Sequence, residues 1–361
     1  IRPLVEAEVV ERALAHPLLR DGLPEFVKPH QKTMIQKSLS LPGTHGWAPP
    51  GAGKTLTALI VLAAQVGPRL VITKAAARGT WLEQCKQYTR MEPRLLLGQT
   101  PPDDLPDDKD VLYITAWETL KYWKKALVTL NPFIVVLDEI HWLRRPKHTK
   151  ATVMEDGSIR FDGLGNSLDA IRAICASAKW HMGLTATPIP GRVRDLWTQL
   201  DMCEPWQWGS FHQFGMRYCG GEHNGYGYQY TGLTNAEELR DRLSFVKVRV
   251  ARDEVSKHLP KKRREIIRLS VQEQNKPAAM RREIKKAAKS GDTDSYFEAL
   301  LMEAASRKHA YIEDRVVTSL QAGQKVVVFT GRRLDCERLA DKLQRFLTMR
   351  VPRAEVWWAH G

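Results

Sequence analysis

A parallel β-sheet covered by helices on both faces is the α/β fold class this sequence predicts, and three observations predict it. Short apolar runs of strand type, at residues 70–73, 111–115, 133–137 and 181–185, alternate with helical stretches, the signature of such a sheet. A glycine-bearing turn, Ala48-Pro49-Pro50-Gly51-Ala52-Gly53-Lys54-Thr55, runs straight into an apolar stretch of helical length, residues 55–66. A pair of acids, Asp138-Glu139, stands at the C-terminal end of the continuous apolar run 133–137, where open α/β sheets place their ligands.

Taken in order, residues 1–25 read as a helical lead-in. Residues 26–245 form the first α/β lobe. Within it, 151–167 reads as a hairpin insertion around Glu155-Asp156-Gly157-Ser158, and the Gly- and Tyr-rich stretch 220–232 as an irregular loop. Residues 246–322 read as a basic helical linker, with strands at 246–251 and 265–271 and helices at 276–289 and 292–320, the last stopped by Gly323. A second α/β unit opens at 323–361, with a strand at 325–330, a helix at 333–346 and a strand at 354–358. One βαβ unit is too little for an independent domain.

The composition narrows the class. The chain has 361 residues and a net charge of +14, and a mean hydropathy of −0.38. Residues 55–66 are too few to span a bilayer, so no membrane partner is expected. Five cysteines, Cys85, Cys175, Cys203, Cys219 and Cys336, lack C-x-x-C spacing, which argues against a disulfide framework or zinc site and suits a reducing, intracellular setting. The charge is uneven: residues 255–290 hold 12 Lys and Arg against three Glu. Such a balance favours a polyanion partner.

The turn carries the first chemistry. Gly51 and Gly53 let the backbone curl so that N–H groups face phosphate oxygens, with Pro50 and Ala52 between and before them. Lys54 reaches the β- and γ-phosphates of ATP, and Thr55 ligates Mg²⁺. Asp138 holds the same Mg²⁺ through water, and Glu139 positions or deprotonates the attacking water. A second strand, 180–184, ends in Thr185-Ala186-Thr187-Pro188. Its hydroxyls, with His141 of Asp138-Glu139-Ile140-His141, are candidates for reporting the phosphate state to a nucleic-acid-facing surface.

These motifs, in this order, resemble the superfamily-two helicase-like ATPases. Three later segments narrow the resemblance to the Swi/Snf-type DNA translocases, most like the annealing-helicase branch that remodels stalled forks. They are Arg194-Asp195-Leu196-Trp197 with Gly209-Ser210-Phe211-His212-Gln213-Phe214 and Arg217-Tyr218-Cys219; Val248-Arg249-Val250-Ala251-Arg252-Asp253-Glu254-Val255 with Leu259-Pro260-Lys261-Lys262-Arg263; and Lys325-Val326-Val327-Val328-Phe329-Thr330-Gly331. The resemblance spans roughly residues 24 to 361. It implies a RecA-like lobe followed by the start of a second one, ATP and Mg²⁺ as cofactors, and double-stranded or branched DNA as partner. It further implies that Gln31 of Pro29-His30-Gln31 reads adenine. Lys74 and Thr115 of the first lobe, and Thr330 and Arg332 of the second, would touch DNA phosphates, which position a protein without reading sequence. Trp81 and Trp117 are assigned to packing rather than to base stacking.

The sequence departs from the family's usual pattern at two motifs. The loop reads A-x-x-x-x-G-K-T where the family has D-x-M-G-L-G-K-T, and Thr185-Ala186-Thr187 stands where Ser-Gly-Thr is common. Strand-separating helicases of DNA or RNA, and a nucleotide-gated DNA-binding module without turnover, therefore stay open as alternatives. The family's last two motifs, with the arginines that complete the ATP site, are absent, so this stretch is expected to bind ATP but hydrolyse it poorly.

Overall fold

The computed structural model describes residues 6–102, 104–106, 108–143, 151–153, 159–161, 165–205, 207–225, 227–256, 263–268, 282, 285, 286, 288, 293–306, 308–351 and 355–356. The chain divides into two units, residues 1–261 and 262–361. The first contains helices α1 (Glu6–Leu14), α2 (Pro29–Ser40), α3 (Lys54–Ala64), α4 (Arg78–Tyr88), α5 (Leu120–Leu130), α6 (Gly165–Ser177), α7 (Asp195–Cys203), α8 (Phe211–Tyr218), α9 (Ala236–Val246) and α10 (Arg252–Ser256). Its strands are β1 (Gly43–Trp47), β2 (Arg69–Thr73), β3 (Glu92–Leu95), β4 (Val111–Ala116), β5 (Ile134–Asp138), β6 (Ala151–Val153), β7 (Ile159–Phe161), β8 (Trp180–Thr185), β9 (Gly221–His223), β10 (Tyr228–Tyr230) and β11 (Lys247–Arg249).

Seven strands form one sheet in the order β11-β1-β8-β5-β2-β4-β3, and every pairing in it is parallel. Parallel strands need crossover connections, which put helices on both faces. The side chains show this directly. Leu70, Ile72, Val111, Tyr113, Val135 and Leu137 join one buried cluster. Their alternating neighbours Val71, Leu112, Ile114, Ile134 and Val136 join the other. The helix α3 is apolar all round, with residues 58–63 fully buried, as expected of a helix enclosed by the core.

Arg69 closes the far end of α3. It is 2% exposed, and its guanidinium donates to the carbonyls of Leu62 (2.6 Å), Gln65 (2.6 Å) and Lys109. Two of those carbonyls lie at the helix C-terminus, where a cation opposes the macrodipole. Burial holds the Arg69 pKa below its usual value.

Several expectations need correction. Strands β1 and β3 were not anticipated. The stretch 220–232 is not irregular: β9 and β10 pair antiparallel across it. The hairpin expected at 151–167 is present as β6 paired with β7, with α6 beginning at Gly165; residues 154–158 lie outside the described residues. In the second unit, residues 265–268 are not a strand, and 269–271 lie outside the described residues. The single helix expected over 292–320 is two, Thr293–Ser306 and His309–Gln321. Gly323 does stop the second, at φ 72°, with Gln324 N–H donating to the Ser319 carbonyl. Residues 325–330 form no strand: they pair with nothing among the described residues, and Val327 and Phe329 are 74% and 91% exposed. The helix Arg333–Arg350 follows. Of the expected helix 276–289 only residues 282, 285, 286 and 288 are described, and they are helical; of the expected strand 354–358 only 355 and 356 are described, and they are not a strand.

Candidate active site

The C-terminal ends of three adjacent strands, β1, β8 and β5, gather the residues singled out in the sequence. Trp47 of β1 pairs with Thr185 of β8, and Leu184 of β8 with Asp138 of β5. The loop after β1 is tied to this edge by Ala48 N–H donating to the Thr185 carbonyl at 3.0 Å. Gly51 and Gly53 adopt φ 80° and 75°, the left-handed region that favours glycine. Pro50 is exposed and Ala52 buried. Gly53 is the N-cap of α3, and no side chain caps that end. The first N–H groups of a helix have no intrahelical partner, and the dipole at that end favours an anion. Thr55 lies in this first turn. The Lys54 ammonium donates to the Ala48 carbonyl at 3.0 Å, inside the same loop.

Helix α2 braces the loop from behind. Gln31 is 3% exposed; its Nε2 donates to the Gly53 carbonyl (3.2 Å), and its Oε1 accepts from Lys28 N–H (2.8 Å). A Cβ on Gly53 would lie 2.3 Å from Gln31 Nε2, so the brace and the glycine are matched. His30 Nε2 lies 3.0 Å from the Ala52 carbonyl. Adenine reading by Gln31 would have to use the second hydrogen of Nε2 and the second lone pair of Oε1.

Asp138 is fixed by groups the sequence reading missed. Its Oδ2 accepts from Thr73 Oγ1 at 2.8 Å and from Trp81 Nε1 at 2.9 Å, and Trp117 Nε1 donates to its backbone carbonyl at 2.9 Å. Trp81 and Trp117 are buried, in keeping with packing roles. Both hydrogen bonds fall on one carboxylate oxygen, which leaves Oδ1 for a cation. Together with the Thr55 hydroxyl this is a hard-oxygen donor set of the kind Mg²⁺ takes alongside substrate phosphates and water. Among the described residues no cluster of three or more His, Cys, Asp or Glu offers an all-protein metal cage.

Glu139 turns out of the strand at φ 54°, a conformation L-residues adopt at a cost. His141 Nδ1 lies 3.1 Å from Glu139 Oε2 and 2.8 Å from Thr185 Oγ1. Thr187 N–H donates to the same Thr185 hydroxyl at 3.0 Å. His141 thus joins the β5 turn to the end of β8.

The remaining candidates are Lys74, Thr115, Thr330 and Arg332. Lys74 follows β2, and its ammonium sits 4.4 Å from the centre of the Trp142 ring. Thr115 is fully buried in β4, and its Oγ1 finds no partner among the described residues, so the expected phosphate contact is closed to it in this structure. Thr330 and Arg332 belong to the second unit, where Thr330 Oγ1 donates to the Arg332 carbonyl at 3.1 Å.

Comparison with known proteins decides the family. The model of the SNF2-related domain matches residues 48–316. The chain belongs to the SNF2-related family. Among relatives, it is 25% identical over 306 residues to a frog (Xenopus laevis) SWI/SNF-related matrix-associated actin-dependent regulator of chromatin subfamily A-like protein 1, covering 81% of this chain and 30% of that protein. It is 26% identical over 265 residues to the mouse (Mus musculus) DNA annealing helicase and endonuclease ZRANB3, covering 69% of this chain and 23% of that protein. The chain therefore spans less than a third of the length of either relative. Among solved structures, the Sulfolobus solfataricus SWI2/SNF2 ATPase core in complex with dsDNA aligns with TM-score 0.53 at 16% identity, over 93% of this chain and 72% of that one. That likeness carries the fold: the SNF2-related chain is built on a RecA-like α/β lobe. No helix among its described residues is long and apolar enough to cross a membrane.

Proposed function

We propose that this SNF2-related chain supplies the ATP-binding machinery of a double-stranded DNA translocase or remodeller. The observation that carries the reading is a phosphate-type loop and a carboxylate turn on one sheet edge: Lys54 and the start of α3 follow β1, and across the intervening β8 lies the β5 end whose Asp138 is locked by Thr73 and Trp81. Gly51, Ala52, Gly53 and Lys54 would cradle the triphosphate, Gln31 would meet adenine, and Thr55 and Asp138 would hold Mg²⁺, which neutralises charge on the phosphates when bound. Glu139 would orient the attacking water, so that catalysis comes from positioning and charge stabilisation. His141, Thr185 and Thr187 would pass the phosphate state along the sheet edge. Residues 26–245 would be the ATP-binding lobe, 246–322 the linker and 323–361 the opening of a second lobe.

Duplex DNA as partner is supported by the net charge of +14 and by the structural relative solved on dsDNA. Lys74, Thr330 and Arg332 are the proposed phosphate contacts. The test is phosphate release from ATP with and without duplex DNA, beside nucleotide binding and strand release from a tailed duplex. Duplex-stimulated turnover that Lys54→Ala and Glu139→Gln abolish, without strand release, fits a translocase. Strand release would favour a helicase. ATP-sensitive DNA binding with no turnover, also when the chain is carried on through a full second lobe, would sink the motor reading.

A further inference from the structure

Trp142 is a large ring left 47% exposed on a short 3-10 turn, Ile140–Leu143, whose other apolar side chains, Ile140 and Leu143, are buried. Packing does not account for it. Its environment has two sides. Toward the sheet edge, the Lys74 ammonium lies over the ring face at 4.4 Å, within the range of a cation–π contact. Toward the carboxylate turn, Trp142 N–H donates to the Glu139 carbonyl at 3.0 Å. Glu139 is the residue held at φ 54°, and its side chain meets His141 one residue before Trp142. The carboxylate proposed to orient water thus stands directly before the short turn whose aromatic face holds a cation proposed to touch DNA.

We infer that Trp142 is a positioning residue that links duplex binding at Lys74 to the geometry of Glu139. The inference rests on the reading of Lys74 as a phosphate contact. In the DNA-free chain the indole face holds the Lys74 ammonium. A backbone phosphate offers the same cation a full negative charge and takes it from the ring. The turn then loses the cation that pins its outer face, and Glu139, in a backbone conformation that only its surroundings maintain, resettles. The cation–π contact therefore competes with DNA, and its removal favours the DNA-bound state.

The competition gives the test an unusual sign: deleting an exposed aromatic should tighten DNA binding. Trp142→Leu keeps an apolar side chain on the turn but has no π face. A cation–π contact at an exposed site corresponds to about a two- to five-fold change in an equilibrium constant. Nucleotide-free binding of a labelled duplex to the chain, followed by fluorescence anisotropy at low salt, should be tighter by about that factor in Trp142→Leu. Trp142→Phe, which keeps a weaker π face, should fall between. In a Lys74→Ala background, Trp142→Leu should change nothing, since the cycle isolates the pair. Stimulation of turnover by duplex should fall in Trp142→Leu even as affinity rises, a split that simple damage to the turn does not produce.

Equal or weaker duplex binding by Trp142→Leu overturns the inference, as does a Trp142 effect that persists without Lys74. Failure of the parent chain to bind duplex at all overturns the functional reading and this inference with it. Parental binding with an unaltered Trp142→Leu overturns this inference alone.

Discussion

Replacing Thr73 by Val tests the buried core of the site. The Thr73 hydroxyl donates to Asp138 Oδ2 at 2.8 Å. Thr73 is fully buried and Asp138 only 9% exposed, so water cannot take over the lost bond. A hydrogen bond to a charged group is worth about 1.5–3 kcal/mol, and valine fills nearly the same volume without the hydroxyl. The expected loss is about 2 kcal/mol, the remaining bond from Trp81 keeping the carboxylate partly satisfied. For a unit of this size that lowers the melting temperature by roughly 4–8 °C. Thermal unfolding followed by circular dichroism measures it, with Thr73→Ser as the variant that keeps the donor. The decisive arm is the Asp138→Ala background. There the Thr73 hydroxyl has lost its acceptor, so Thr73→Val becomes neutral or favourable. An equal cost in both backgrounds would show that the destabilisation comes from packing, and would refute the account of Asp138 as a carboxylate locked by its neighbours.

Three further outcomes follow from the same geometry. Glu139→Gly relieves the φ 54° backbone and should leave stability unchanged or higher by up to about 1 kcal/mol, while ATP turnover is lost; denaturant titration beside an ATPase assay reads both. Gly53→Ala forces a left-handed alanine against Gln31 Nε2 and should cost about 1–3 kcal/mol, with nucleotide affinity falling in an equilibrium titration; Gln31→Ala in the same chain relieves the clash but not the backbone strain, and recovers part of the loss. His181, buried in β8 with Nε2 2.8 Å from the Cys175 carbonyl, has its pKa held below the ordinary 6.5 by burial, partly offset by hydrogen bonds with the Cys175 and Pro42 backbone. The unfolded chain then binds a proton the folded chain refuses, so stability drops as pH falls through 6.5 toward the folded value and levels off below it; denaturation midpoints taken across that window should flatten in His181→Gln.

The sheet was readable where its strands are built from apolar and β-branched residues, as in β2, β4 and β5. It was not readable in β1, Gly-Thr-His-Gly-Trp, because tertiary contact chose those residues. A Cβ on Gly43 would lie 2.2 Å from the Cys203 carbonyl oxygen, and one on Gly46 would lie 2.8 Å from Met34 Sδ. Close approach demanded glycine where strand propensity disfavours it. The opposite error arose at 325–330, where Val-Val-Val-Phe has every local preference of a buried strand. A strand is made by its neighbour, and no neighbour is found among the described residues. Propensity measures fit to a half-buried pleat, not the existence of one.

The site divides along a similar line. Lys54, Asp138 and Glu139 could be found in one dimension because a loop and a strand end are contiguous in sequence. Thr73 and Trp81 could not, because their roles follow from strand order, and His30 could not, because its role follows from the packing of α2 against the loop. Only when β2 is known to lie beside β5, with Ile72 opposite Leu137, does the next residue on each strand, Thr73 and Asp138, come within hydrogen-bonding range. The same order explains why His141 can serve two partners. β8 separates β1 from β5, so a side chain just past the β5 end reaches Thr185 at the β8 end, and Thr185 in turn receives the phosphate loop through the Ala48 N–H. In the proposed motor, a shift of the loop would reach Thr185 before it reached Glu139. Glu139 sits at the far end of that chain of contacts, the one non-glycine residue among the described residues of the cluster with a left-handed backbone. In the proposed motor, a carboxylate held against its own preference by His141 on one side and the Trp142 turn on the other would answer to two inputs, the nucleotide through β8 and the cation at Lys74.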